Sequence, residues 1–373
     1  MKRDLDPITE EIIKIYNALE AELLIDVARR FDVYDKVGGT LEWHLAKLDE
    51  LGALDGDLVK TISKYSSKAE SEIQAMLRAA GYANIDFKVL SQAFQKGLIS
   101  DPQAVFDSDL VQRLINNSYK QYNGHLRLIQ TKARESAKKA YMDILNASYI
   151  EVSSGTYDFN SSVRRAIQRM GAKGITGATY SRGGTVVNYS IEGTVRRDTL
   201  TAVNQLANNV AHSACLEMGA QYVEISSHLG ARTHRTNPIA NHAGWQGKVF
   251  RIEGADEYPN LKLSTGYPGD IQGLGGVNCR HRMFPFFPGI STPNPIQYSE
   301  RENRVVYELT QEQRAMERKM RQLKKMYACA KASNDDVSAE KLSGDISMQD
   351  KKIQAFCDQH GFIRDYSREN IQY

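Results

Sequence analysis

HAGWQGKVF, running from His242 to Phe250, and GVNCRHRMFPFFPG, running from Gly276 to Gly289, decide how this chain is read. Glycine, proline, aromatic and histidine residues crowd both blocks, and neither shows the 3.6-residue apolar spacing of a helix, so they read as irregular loops and short strands over an aromatic core. Trp245, Phe250, Phe284, Phe286 and Phe287 would supply that core. Between the blocks lies a loop containing STGYPGD, Ser264 to Asp270. Strand-like runs stand nearby at Thr185–Ile191 (TVVNYSI), after the turn signal Gly183-Gly184, at Tyr222–Ser226 (YVEIS) and at Lys248–Ile252 (KVFRI). A helix from about Val195 to Met218, stopped by Gly219, separates the first run from the others. A helix backing a short, mostly antiparallel sheet is an α+β arrangement, and that is the expected fold class.

Outward from this centre the chain turns helical. Residues 151–295 hold eighteen glycines and seven prolines, against seven and two in residues 1–150 and two and none in residues 296–373, so the middle is turn-rich and both flanks are helix-rich. Three regions are expected: a helical amino-terminal arm or bundle over 1–150, the α+β domain over 151–295 and a basic helical tail over 296–373. In the first, Asp6 as cap and Pro7 at the first helical position open a helix whose Ile12, Tyr16, Leu19, Leu23 and Val27 form one apolar face to about Phe31. Helices are also expected over Asp57–Ala80, ended by Gly81, and from about Ser108 to Leu145, with Leu110, Leu114, Tyr119, Tyr122 and Leu126 on one face. Asn160 reads as the cap of a helix through Met170 that stops at Gly171.

The tail carries its own signals. Thr310 and Gln313 suggest a capping box, Met316, Met320, Leu323 and Tyr327 trace an apolar stripe, and Glu317 and Arg321 are spaced to pair along the helix. From Arg301 to Tyr327 there are eight basic and four acidic side chains. That local excess makes Arg314, Arg318, Lys319, Arg321, Lys324 and Lys325 the candidate contacts to DNA or to an acidic surface, against the simpler reading of a solvated helix face. A chain ending at Pro295 is expected to keep the function of the preceding regions and to lose any salt-dependent retention on DNA.

Bulk properties exclude more than they assign. A net charge of +3, from 48 Lys and Arg against 45 Asp and Glu, declares no nucleic-acid binder by itself. Cys215, Cys279, Cys329 and Cys357 are widely spaced and form no CxxC pair, which argues against a disulfide framework and suits a reducing cytoplasm. Acidic residues in the first dozen positions are unlike a signal peptide, and no run approaches the roughly 18 apolar residues of a membrane span.

The two opening blocks, in their order, resemble the minor capsid protein 2 family of tailed bacteriophages, a relative of the MuF-type head-morphogenesis proteins. RDYSRENI, Arg364 to Ile371, extends the likeness into the tail. The resemblance implies a MuF-like α+β domain in a minor protein of the phage head. It would be present in few copies on the capsid interior at the portal vertex, aiding head assembly and genome packaging or delivery. Its implied partners are the portal protein, the major capsid protein and packaged double-stranded DNA bound without sequence preference. Neither membrane nor cofactor is implied, and the protein would be made in the host cytoplasm. His242, Trp245, Gly247, Phe250, Gly276, Asn278, Cys279, His281 and Pro285 are the motif positions, expected to act structurally.

Two chemical alternatives attach to the same residues. His234, His242, Cys279 and His281 are zinc-ligand types, but close ligand pairs are missing and only Cys279-Arg280-His281 is compact, so no metal is expected from spacing. Cysteine pairs are frequent in the corresponding region of MuF-type proteins, whereas here Cys279 stands alone beside His281. A Cys279–His242 or Cys279–His281 dyad would give a thiol- or metal-dependent hydrolase acting during infection, yet no nucleophile elbow, HExxH, phosphate-binding loop or GxGxxG accompanies it. An enzyme is therefore not expected. The remaining alternative is a DNA-binding module of a host protein.

Overall fold

The computed structural model describes residues 6–33, 39–107, 109–182, 184–293 and 298–371. The α+β expectation is met: long helices dominate and two small antiparallel sheets complete the described chain. In order these are α1 (Asp6–Ala28), α2 (Thr40–Asp49), α3 (Leu51–Gly81), α4 (Phe87–Gln95), α5 (Pro102–Asp107), α6 (Leu110–Ser153) and α7 (Phe159–Lys173). The hairpin β1 (Thr176–Arg182) and β2 (Thr185–Ser190) follows, then α8 (Ile191–Met218), β3 (Tyr222–Ile225), α9 (His242–Trp245), β4 (Val249–Arg251), α10 (Leu261–Thr265) and β5 (Met283–Phe286). Helices α11 (Glu300–Ala332) and α12 (Asp336–His360) lead to a short 3-10 turn at Tyr366–Arg368. Among the described residues, no helix is long and apolar enough to cross a membrane.

Two compact units share this chain by interleaving. One draws on residues up to Glu11, Ser71–Gly124 and Arg196–Gln311; the other on Ile12–Glu70, His125–Val195 and the chain from Glu312 onward. The regions 1–150, 151–295 and 296–373 each contribute to both. The expected boundary residue Pro295, the start near Ser108 and Gly183 of the hairpin turn fall outside the described residues, as does the side chain of the expected cap Asp6.

The second unit, from Ile12, is helical apart from the β1–β2 hairpin. The predicted face of α1 is fully buried at Ile12, Tyr16, Leu19, Leu23 and Val27, but Ile13, Leu24 and Glu20 are buried as well, so α1 is enclosed on more than one side. Around its end, the Phe31 ring packs against Tyr141 of α6 at 4.7 Å between centroids, and Trp43 meets Phe159 edge-on at 4.8 Å. Tail helices α11 and α12 pack through Leu323, Ala330, Ala339 and Leu342 at one end and Met320, Ile353 and Cys357 at the other. The tail is no appendage here: Lys325 of α11 pairs with the Glu20 carboxylate at 2.6 Å, and Asp335 accepts from Arg164 Nε at 2.9 Å.

Several helix ends differ from expectation for local reasons. The N-cap of α7 is Asp158, whose carboxylate accepts from Ser161 N at 3.0 Å, and α7 runs through Gly171 to Lys173. Gly171 does not stop it: a Cβ there would lie 2.9 Å from Met326 Cα, so this glycine lets α7 and α11 approach. Gly174, at φ +71, ends the helix instead. Helix α11 begins ten residues before Thr310, whose hydroxyl donates back to Val306 O at 2.7 Å from within the helix. The capping box is Ser299 with Glu302: Ser299 Oγ accepts from Glu302 N at 3.2 Å while Glu302 Oε2 accepts from Ser299 N at 2.9 Å. Glu317 and Arg321 do not pair with each other; Glu317 takes Arg368 at 2.9 Å and Arg321 takes Glu192 at 3.2 Å.

In the first unit, β3 is the central strand of a sheet ordered β4-β3-β5, antiparallel throughout, with Val223 opposite Phe250 on one side and Pro285 on the other. Pro285 thus stands on an edge strand, where a residue without an N–H is tolerated. The strand β5 forms where only an aromatic core run was expected. Phe250, Met283 and Phe286 are buried with Val203, Leu206, Ala207 and Val210 of α8.

Candidate functional site

His242, Trp245, Cys279 and His281 come together in the first unit, each 4% exposed or less. They arrive from two loop-rich segments held by helix α8. Asn204 and Asn208, one turn apart on α8, donate from their carboxamides to the backbone of the Cys279 block: Asn204 Nδ2 to Cys279 O at 2.9 Å, and Asn208 Nδ2 to His281 O at 3.2 Å. Asn208 Oδ1 also accepts from Met283 N at 2.8 Å. Two amides on an otherwise apolar helix face thereby fix the irregular backbone entering β5, whose polar groups would be costly if left unpaired.

Glycine shapes the adjoining loop. A Cβ on Gly276 would lie 2.3 Å from Ile271 O, so the chain can fold back on itself only without a side chain there. Asn278 then takes a left-handed conformation at φ 59, a region that asparagine tolerates better than most residues. Gly247 at φ 67 turns the other block out of α9 and donates to Ile225 O at 3.0 Å.

The imidazoles are oriented by fixed acceptors. His242 Nε2 lies 2.7 Å from Gln272 O and His281 Nε2 lies 3.0 Å from Gln246 Oε1, so each Nε2 carries the proton and donates it. Gln246 is locked in turn, since its Oε1 accepts from His228 N at 3.0 Å and its Nε2 donates to Asn303 Oδ1 at 3.4 Å. Asn303, fully buried on α11, also accepts from Gly230 N and Ala231 N, both at 3.1 Å. This arrangement leaves His281 Nδ1 deprotonated and facing Cys279 Sγ at 3.7 Å. The Sγ, a His242 ring nitrogen and a His281 ring nitrogen all lie within 4.8 Å of one another.

Burial sets the charge state. It lowers the His242 pKa to about 4 and holds His281 well below the usual histidine range, with the neighbouring His228 and Arg232 charges acting in the same sense. It pushes the Cys279 thiol up to about 11. Two neutral imidazoles thus face a protonated thiol under a ring wall: Trp245 lies 4.5 Å from His242 and 4.8 Å from His281, and His228 stacks on His281 at 4.3 Å. Trp245 Nε1 donates to Ile239 O at 3.0 Å.

His234 is not part of this cluster. It is exposed, and its Nδ1 accepts from Asn237 N at 2.9 Å to close a turn. Sequence reasoning missed Asn204, Asn208, Gln246, Gln272 and Asn303. The signal available for two of them was a pair of amides at i,i+4 on the apolar face of α8.

The basic candidates of α11 divide. Arg318 and Lys319 are exposed, Arg314 and Lys324 are partly so, and Lys324 donates to Asn370 Oδ1 at 2.6 Å. Arg321 and Lys325 are 7% and 6% exposed and are held by Glu192 and Glu20. These two are corrected out of any surface contact, because moving them outward would break two buried ion pairs.

The sequence profile of a family described as phage minor capsid protein 2 matches residues 2–358. A structural protein of Lactococcus phage LL-H is 24% identical over 344 residues, covering 88% of this chain and 89% of that protein. A structural protein of Lactococcus phage mv4 is 30% identical over 116 residues, 31% of this chain and 93% of that shorter protein. No solved structure matches.

Proposed function

Because the chain belongs to the phage minor capsid protein 2 family, we propose that it is a minor structural component of the virion, seated at the portal vertex inside the head, where it aids assembly and genome packaging or delivery. The observation that carries this reading is the extent of the family match, from residue 2 to residue 358. Region 1–150 serves as the docking arm on the portal or major capsid protein. In support, its helices leave large apolar side chains in solvent, Leu41 and Leu45 one turn apart on α2 and Phe87 and Phe94 on α4. The sheet and loops of the first unit, from Arg196 onward, are the rigid element, and the tail presents Arg318 and Lys319 to packaged DNA.

A structural rather than hydrolytic role for Cys279 fits its surroundings. A nucleophilic thiol works as an accessible thiolate, whereas this one is 2% exposed with its pKa raised to about 11 by burial. The test is the composition of purified particles before and after DNA release, read by gel and mass spectrometry, with cross-linking to the portal. Presence in heads at low copy number with portal cross-links is expected. Absence from purified heads would refute the virion assignment, and cross-links confined to tail proteins would refute the portal position.

A further inference from the structure

From the convergence of donor atoms in the first unit, we propose that His242, Cys279 and His281 form a buried binding site for a zinc-class transition-metal ion that staples the loops around β5. The assignment stands on the geometry of these residues and not on the virion role.

Three observations carry it. Sulfur and imidazole nitrogen are the donor types zinc selects, and one of each residue's ligand atoms lies within 4.8 Å of the others. Ordinary Zn–S and Zn–N lengths at a tetrahedral angle place sulfur and nitrogen about 3.6 Å apart. Cys279 Sγ and His281 Nδ1 already stand at 3.7 Å.

The outer shell points the same way. A metal-bound histidine usually donates its second ring N–H to a carbonyl or carboxamide, fixing the tautomer that presents the lone pair inward. Gln246 Oε1 at 3.0 Å does this for His281, whose Nδ1 faces Cys279 Sγ, and Gln272 O at 2.7 Å fixes the tautomer of His242. The Gln246 carboxamide is itself held by Asn303, so His281 Nδ1 is aimed by a chain of buried amides.

The surroundings explain what an ion would contribute. Between β3 and β5 the chain makes one three-residue strand and two short helices over nearly sixty positions, so regular hydrogen bonding secures little of it. Linking α9 to the segment before β5 would tie the two irregular blocks at their centre. On binding, the Zn–S bond forms as the Cys279 S–H proton leaves to solvent, and both imidazoles bind as neutral lone-pair donors. Spacing along the chain gave no sign of this, because the ligands pair in space across 37 residues rather than as a close sequence pair.

The test uses the full chain expressed with zinc in the medium. Metal content should be stoichiometric. After chelation and reloading with cobalt, a thiolate-to-cobalt charge-transfer band should appear with tetrahedral visible bands. Cys279→Ser should lose that band, Gln246→Met should weaken zinc binding by about ten- to a hundredfold, and His234→Asn should retain both metal and band. Because a substituted core could unfold, X-ray absorption at the zinc edge of the unmodified protein gives an independent reading, with a sulfur and imidazole nitrogens expected in the coordination shell. Unmodified protein that takes up neither zinc nor cobalt would overturn the site, leaving a plain S–H to imidazole hydrogen bond. A cobalt band undiminished in folded Cys279→Ser, or a zinc shell of oxygens alone, would overturn it equally.

Discussion

Glu20, fully buried on α1, accepts from Ile175 N at 3.2 Å, Glu192 N at 2.9 Å and Lys325 Nζ at 2.6 Å. It ties the hairpin, the start of α8 and α11 to one point. Lys325→Met removes the only side-chain cation among those donors and leaves a buried carboxylate uncompensated, which should cost about 3–5 kcal/mol in chemical denaturation. The double change Glu20→Gln with Lys325→Met should recover a large share, because the neutral amide carries no buried charge; a double variant as unstable as the single one would show that packing, not charge, sets the cost. In the other unit the corresponding anchor is Trp245. At 4% exposure, with its indole N–H satisfied, Trp245→Ala should destabilise by about 3–5 kcal/mol, and unchanged denaturation would place the ring at a contact surface instead.

Glycine shows at the element scale what could and could not be read beforehand. The long helices were legible because apolar residues recur at three and four, and Tyr16, Leu19 and Leu23 fall inside as that spacing requires. Gly171 was not legible as a packing residue, since a sequence shows a glycine but not the Met326 backbone that α11 brings against it. Thr310 misled for a related reason: a threonine whose hydroxyl bonds back within a helix has the same residue identity as one that caps it, and Ser299 with Glu302 carried the actual box. The site behaved likewise, with the motif residues visible and their supports Gln246 and Asn303 hidden, because long-range amide contacts leave no periodic trace. A matched pair of substitutions tests this reading of glycine. Gly171→Ala should cost about 1–3 kcal/mol by forcing α7 and α11 apart, while Gly124→Ala, with nothing within 4 Å of the added Cβ in α6, should gain up to about 1 kcal/mol. Equal melting temperatures for the two variants would remove the close-approach argument.

For the molecule as a whole, interleaving decides how its DNA role can be tested. Deleting the tail after Pro295 removes Lys325 from Glu20, Arg321 from Glu192 and Asp335 from Arg164, so the second unit would lose its buried pairing along with its charge. The expectation that such a chain still docks is therefore withdrawn; failure of the truncated protein to enter particles would report misfolding. Charge reversal on the exposed side is the cleaner experiment. Arg318→Glu with Lys319→Glu alters side chains with solvent around them and leaves Arg321 and Lys325 in their pairs, so the thermal melt should shift little. If these two groups meet phosphates, DNA retention measured against salt should weaken at every concentration, and the slope of log affinity against log salt should fall by about 0.9 for each phosphate that the variant no longer neutralises. A reversed variant that binds DNA with the parent's affinity and slope, while remaining folded, would move the tail's charge from DNA contact to a solvated helix face.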